Sequence, residues 1–508
     1  MSDSIKIIEN GFVFTGDMQN RAGILTIIIQ NGHILEIGRR ADALKAKYPN
    51  AEVIDTTGKI ILPGFVDAHH TGESFILRYL TSGQSMSQWH KSPIINRAIN
   101  YLRKDATYFE LLTLYRLSYY AALKSGVTTL AEYGLDTPEH SFPASLEAMQ
   151  QTNQRGFIGL HNGDQIEAAR KLHESSIRFA FIIADEENLT TYNLQSSIRS
   201  ARELQWPIIL HLGQTRHAFN IVKKNFNKSI AQLYAEYRAI DLPAHVLHLS
   251  CFDEGDLEII AKFGAPLVYS PKAILQKGTD IPPFEEIHKN KIKIAFGTDW
   301  GVAQPLENIQ SYCSILKTLG LLHERPHNLL ALHTKNGASA LGLNTEIGTI
   351  ETGKKADLVF LNLSDFRMNS LFADDNAERI LDIVLQEASS QQVSDVMING
   401  EFYVREGHAL TYSEEDLAKE GQVIFKKLLA FHEQKTAALS SPAPILRFSA
   451  LQTKENKSSA DDMIADEGFR IIRKDRTVLT PSLMDNTPQE MKKVLPKNVK
   501  KIFGDDEA

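Results

Sequence analysis

The sequence predicts an α/β protein built on a (β/α)8 TIM-type barrel. Two observations carry that expectation. From Lys59 onward, short β-branched or apolar runs alternate with helix-like stretches, the pattern of βα units around a parallel sheet. Eight such runs can be counted, and polar residues stand at or near the ends of several, where this fold places its chemistry. Outside that region lie short strands and turns.

Residues from about 5 to 60 read as strands at Lys6–Glu9, Gly23–Gln30, His33–Gly38 and Glu52–Asp55. Asn31 and Gly32 make a hairpin turn, because both accept positive φ cheaply. Ala41–Tyr48 reads as a short helix. Ile60–Ala68 is the first barrel strand, followed by a helix over Lys104–Ser125 and a β-branched strand over Gly126–Glu132. Phe157–His161 and Arg178–Ala184 are the third and fourth strands. A helix at Leu194–Leu204 leads through Pro207 into the fifth, Ile208–Leu212. Ala244–Leu249, Pro266–Ser270 and Ile294–Thr298 complete the eight, with His69, Asp185, His211, His245 and Asp299 near strand ends. A helix around Pro326–Leu341, a hairpin over Asp395–Val404 turning at Asn399 and Gly400, and an amphipathic helix over Glu414–Gln434 follow. The tail from about Ser440 to Ala508 is polar, with apolar patches at Phe469–Ile472 and Val478–Leu483, so partial disorder or docking is expected.

Composition narrows the class. The chain has 508 residues, 43% of them hydrophobic and 23% charged, which fits a globular protein with a substantial core. A net charge of −7 disfavours nucleic acid or an acidic membrane as the main partner. No apolar run is long enough to span a bilayer, and residues 1–10 do not read as a signal peptide. Two cysteines, Cys251 and Cys313, cannot make a disulfide framework and fit a reducing cytoplasm.

The stretch Ile61–Gly72 reads Ile-Leu-Pro-Gly-Phe-Val-Asp-Ala-His-His-Thr-Gly. It resembles the first barrel strand of the amidohydrolase superfamily, whose Pro-Gly-Phe-Val-Asp-x-His-x-His carries two metal-binding histidines. Ile347–Phe360, with its Glu-Thr-Gly-Lys-Lys-Ala-Asp core, resembles the segment where those proteins leave the barrel for a small β-sandwich. The resemblance covers roughly residues 5 to 435. It implies a composite β-sandwich from residues 1–60 and 345–412, a barrel over 61–344 and a C-terminal helix over 413–439. It also implies the aminohydrolase and chlorohydrolase-like branch, with one divalent ion, Zn²⁺ or alternatively Fe²⁺, activating water against a C–N bond of a small molecule.

The site residues implied are His69, His211, Asp299 and His245 as metal ligands, with Asp299 also taking the proton of the attacking water. His245 is equally a position that holds hydroxide or substrate. Strand alternation puts Asp67, His69 and Thr71 on one face and His70 on the other, and sends His248 away from His245. Trp89 lies where relatives carry a lid segment, and Trp300 beside Asp299 can wall the pocket. Lys272 or Arg216 could bind a substrate carboxylate. Asp185 or Glu186 could supply an acid or bind a cationic substrate. No lysine lies in the fourth strand, which favours one metal over two.

Two departures qualify the chemistry. Thr71 stands in place of the second histidine, and a neutral hydroxyl is a poor donor beside imidazole. Gln214 stands where the branch carries a proton-shuttling glutamate, and an amide orients a substrate without taking its proton. The expected function is therefore a metal-dependent deaminase or cyclic amide or amidine hydrolase. The alternatives are a different metal-assisted reaction, such as a lyase or C–C hydrolase, and a binding protein without hydrolysis. A homodimer would accord with the architecture.

Overall fold

Eight parallel strands form the central sheet in strict sequence order, each flanked by its neighbours in the chain. The computed structural model describes residues 5–89, 91–134, 140–172, 176–183, 186–213, 215–242, 247–249, 251–263, 266–321, 324–362 and 376–436. The barrel strands are β1 (Phe65–His70), β2 (Val127–Glu132), β3 (Arg155–Leu160), β4 (Ile177–Ile182), β5 (Ile208–Leu212), β6 (Leu247–Leu249), β7 (Leu267–Tyr269) and β8 (Ile294–Phe296). Their β-branched and aromatic residues are buried wherever burial is described, as a parallel sheet covered on both faces requires. The sheet curls until β1 meets the end of β8: the amides of Thr298 and Asp299 donate to His69 O at 2.9 and 2.8 Å. Thr298 N also donates to Asp67 Oδ1 at 2.8 Å, and its hydroxyl to Asp67 Oδ2. This is the TIM-type α/β arrangement, with Asp67 serving as a clasp between first and last strands.

Two further sheets come from the flanks. One is four-stranded, built from Ile5–Glu9, Thr26–Gln30, His33–Gly38 and Glu52–Asp55. The other is seven-stranded and joins Phe12–Phe14, Ala22–Ile24 and Lys59–Pro63 to Leu358–Asn362, Val393–Ile398, Glu401–Arg405 and His408–Ala409. One apolar cluster draws Ile8, Ile27, Ile29 and Ile34 from the first and Ile61, Leu358, Phe360 and Met397 from the second. The Asn31–Gly32 turn occurs as expected, with Asn31 at φ 50°.

Several expected elements divide. Ile60–Ala68 is two strands in different sheets, parted at Gly64, whose amide donates to Asp357 O at 2.8 Å. Gly23–Gln30 likewise splits, because Ala22–Ile24 pairs with Phe12–Phe14 while Thr26–Gln30 pairs with Ile5–Glu9 and His33–Gly38 in the other sheet. The helix expected from Lys104 begins at Tyr108, where Thr107 and Glu110 form a capping box. The helix over 326–341 breaks at His333, which faces inward: its Nδ1 contacts Val66 O at 3.0 Å and its O accepts from Val66 N at 2.6 Å. The polar tail beyond 436 lies outside the described residues, as do Asp185, Gln214 and His245.

The barrel is joined to the flanking sheets through a buried ion pair. Arg155 Nη1 on β3 contacts Asp357 Oδ2, while Asp357 Oδ1 accepts from Asn399 N at 2.9 Å. Asp357 ends the Glu-Thr-Gly-Lys-Lys-Ala-Asp core noted in the sequence, and its role here is structural. Among the described residues, no helix is long and apolar enough to cross a membrane.

Candidate active site

His69, His211 and Asp299 meet at the C-terminal ends of β1, β5 and β8, and all three are buried. His69 Nε2 lies 3.6 Å from Asp299 Oδ1. The rings of His69 and His211 meet edge to face, their centroids 5.9 Å apart. Asp299 sits in the left-handed region at φ 54°, a conformation Asp tolerates better than most residues. It is held there by the paired amide bonds to His69 O and by Ser74, whose Oγ accepts from Gly301 N at 2.9 Å. Backbone strain of this kind, fixed by surrounding bonds, accords with a side chain aimed for chemistry.

Tyr133, just beyond β2, was not legible as a site residue. Its hydroxyl lies 3.3 Å from His211 Nδ1, and its ring packs against both His211 and His69. With Nδ1–H donating to the Tyr133 oxygen, the lone pair of His211 sits on Nε2, the tautomer a metal ligand needs. His211 O accepts from the Tyr234 hydroxyl at 2.9 Å, which fixes the strand end beneath the ring.

The donor chemistry fits a divalent ion. Two donors about 2.0–2.2 Å from one tetrahedral ion stand roughly 3.4 Å apart, close to the His69–Asp299 separation. Two imidazoles and a carboxylate are also a usual set for an open zinc site. Among the described residues, however, no three His, Cys, Asp or Glu side chains stand close enough together to hold a metal ion by themselves. Asp299 has a second partner as well. Lys277, the last residue of the helix Pro271–Lys277, is 5% exposed and its Nζ donates to Asp299 Oδ2. The same ammonium lies 5.4 Å from the centre of the Trp300 ring. Nothing in the sequence marked this lysine, since a lysine at a helix end usually points to solvent.

His70 turns away from the site, as expected, but Asp67 does not follow simple alternation. The β1–β2 register slips between Asp67 and His70, so the two side chains meet, Asp67 Oδ2 to His70 Nδ1, at 3.0 Å. His70 Nε2 then contacts Ser118 Oγ at 2.9 Å. Burial alone would discharge this pair. The mutual hydrogen bond and charge offset it, so Asp67 is held below the usual carboxylate range and His70 above the usual imidazole range.

The expected substrate-binding residues fall together in part. Trp89 and Trp300 stack at 4.6 Å between centroids, and with Lys272 they line a cavity of about 690 Å³. The Trp89 Nε1–H donates to Gln84 O at 2.9 Å, which fixes the short helix Met86–Trp89. A second cavity, of about 520 Å³, is bordered by Met86, Thr215, Arg216, Cys251, Gly278 and Asp280. Both volumes suit small molecules. Arg216 faces Asp280 across 3.6 Å, with both side chains more than half exposed. Glu186 is buried, and its carboxylate accepts from Gly213 N directly after β5, so this member of the acidic run is no solvated loop residue. Gly213 itself has φ 61°, and a Cβ there would stand 1.9 Å from Cys251 O.

A buried carboxylate pair lies behind β1 and β2. Glu132 Oε1 accepts from Gly72 N and Gly134 N at 3.0 and 2.8 Å. Burial, and then the charge of Glu132, push the Glu73 carboxyl up to about 8. Folding therefore holds a proton that the unfolded chain releases above about pH 4.5, so stability declines as pH rises from there towards 8. His333 acts in the opposite sense. Burial lowers it to about 4, so stability rises with pH until the unfolded imidazole is neutral near 6.5. Between about pH 6.5 and 8 the Glu73 effect continues, and the raised carboxyl of Glu132 and raised imidazole of His70 act in the same sense. Glu73 alone should contribute a loss of about 2 kcal/mol to urea unfolding over that window, at about 1.4 kcal/mol per pH unit. Glu73→Gln should make the loss smaller; an unchanged slope in the variant would assign it elsewhere.

A TIM-type barrel with two imidazoles and a carboxylate at its C-terminal face defines a class of barrel hydrolases. The chain belongs to the amidohydrolase family, whose model matches residues 60–403. It is similar to the 5-methylthioadenosine/S-adenosylhomocysteine deaminase of Pyrococcus furiosus, at 24% identity over 81% of this chain and 98% of that protein. In structure it is similar to an adenosine deaminase from Xanthomonas campestris with bound zinc, with a TM-score of 0.74 and 18% identity over 84% of this chain and 98% of the other. It is also similar to the zinc complex of an atrazine chlorohydrolase from Arthrobacter aurescens, with a TM-score of 0.71 and 16% identity over 83% of this chain and all of the other.

Proposed function

We propose that the protein is a metal-dependent hydrolase that cleaves an exocyclic C–N bond of an amino-substituted nitrogen ring and releases ammonia. The observation that carries this reading is the convergence of His69, His211 and Asp299 within the family barrel. The relatives named as nucleoside deaminases point to a purine-like substrate. His69, His211 and Asp299 would hold one divalent ion, with His245 as a fourth donor or as a hydrogen-bond partner of the substrate. Zn²⁺ is the ion we favour, since it accompanies both solved relatives. A divalent ion held there would supply Lewis-acid polarisation.

The chain's own groups do the rest. Asp299 Oδ2 is engaged by Lys277, so Oδ1, which faces His69, is the oxygen that accepts a proton from the attacking water. Gln214 orients the ring by hydrogen bonds, and Glu186 or Asp185 stands in for the acid that Gln214 cannot be. Trp89 and Trp300 exclude water from one side of the reacting centre. Around this barrel, over 61–344, the flanks at 1–60 and 345–412 form a composite β-sandwich, and a homodimer is proposed on fold analogy alone.

One observation favours a second reading. The Lys277 ammonium already balances the charge of Asp299, as it would in a protein that binds its small molecule without hydrolysing it. Ammonia release from a panel of adenosine-type nucleosides, with zinc-loaded protein, separates the two. Release that Asp299→Asn abolishes is the expected result. Binding of the same nucleosides without any release would leave only the second reading.

A further inference from the structure

Among the described residues, the cavity walled by Trp89 and Trp300 holds two cations and no acid paired with either. Arg78 projects from the helix Ser74–Thr81 and lines it together with Lys272. The guanidinium is clamped over the rings of Phe75 and Tyr79, 3.9 and 4.3 Å from their centres, and its Nη2 donates to the Tyr79 hydroxyl at 2.8 Å. Its Nη1 is buried and has no hydrogen-bond partner among the described residues. The Lys272 Nζ donates to the neutral Gln304 Oε1. The acid closest in effect, Glu307, is occupied by the amide and hydroxyl of Ser390 at 3.0 and 2.8 Å and forms no ion pair with Lys272. Burial pulls the Lys272 ammonium down, and the like charge of Arg78 adds to it against the pull of Glu307.

Two like charges near enough to repel, in a half-buried cavity, are unfavourable unless something of opposite sign joins them. A guanidinium and an ammonium are also the usual pair for carboxylate or phosphate, the first offering a planar fork and the second a movable point charge. Trp300 belongs to this cavity and directly follows Asp299, so a ligand here lies next to the proposed reaction centre. We infer that the cavity is a subsite for an anionic group, a carboxylate or a phosphate, carried by the substrate beyond its reacting carbon. This rests on the reading of Asp299 as the reaction centre. The anion itself is recognised by Arg78 and Lys272, with the stacked indoles flanking whatever links it to the ring.

Calorimetric titration of the full chain with inorganic phosphate and with acetate tests this without turnover. Arg78→Gln and Lys272→Gln are run beside it, and thermal melts confirm folding of each. At least one of the two anions should bind, and each substitution should weaken it by about 10-fold or more, the usual effect of one charge at close range. The stronger of the two anions names the group. Absence of binding by either, or binding that both variants keep, would overturn the inference. Anion binding needs neither metal nor ammonia release, so a failed deaminase assay with intact anion binding would count against the reaction alone.

Discussion

Asp299→Asn should lower kcat/KM for ammonia release by about 10³-fold, the scale expected when a positioned proton acceptor is removed. Asn keeps the shape and also tolerates the left-handed backbone at φ 54°, so geometry is not the cause. The same change should cost stability. Lys277 is 5% exposed, and the substitution leaves its ammonium buried against a neutral amide. Breaking one side of a buried ion pair typically costs about 3–5 kcal/mol. Adding Lys277→Gln removes the stranded charge, so the double variant should recover most of the stability and none of the activity. Recovery of both would show that Asp299 acts only as the partner of Lys277.

Gly297→Ala should destabilise the protein by about 3 kcal/mol or more and abolish activity, through sterics and lost seam bonds. A Cβ at this position would stand 2.5 Å from His69 Cβ and 2.7 Å from both His69 N and O. Those backbone atoms cannot yield, because His69 O is the acceptor for Thr298 and Asp299. Relief would pull β8 from β1 and carry Asp299 away from His69. Gly163→Ala is the control, since a Cβ there meets nothing within 4 Å at the start of a helix. Equal melting curves for the two variants would mean that the seam is more compliant than these contacts indicate.

The barrel was legible because its strands are short apolar runs broken by turns and helices, a pattern that survives without knowledge of contacts. His69, His211 and Asp299 stand at or near the ends of such runs, and it is the resemblance to the amidohydrolase motifs that singles them out as site candidates. The split at Gly64 was not, since Ile60–Ala68 is uniformly apolar and only pairing reveals that it serves two sheets. Asp67 was placed by alternation on the site face, whereas a register slip lets it clasp His70 and Thr298 instead. Lys277 and Arg78 were missed for a common reason. Lysine and arginine at helix positions read as solvated, and burial against Asp299 or over Phe75 is a tertiary fact. His333 looked like part of one long helix, yet Asn308 and the Val66 backbone hold it buried.

The most direct measurement is elemental analysis of the purified protein after incubation with Zn²⁺ and removal of the excess, beside His211→Ala. About one zinc per chain, lost in the variant, is the expected result. Protein that retains no zinc, or that retains as much after His211→Ala, would contradict a metal centre built on His69, His211 and Asp299.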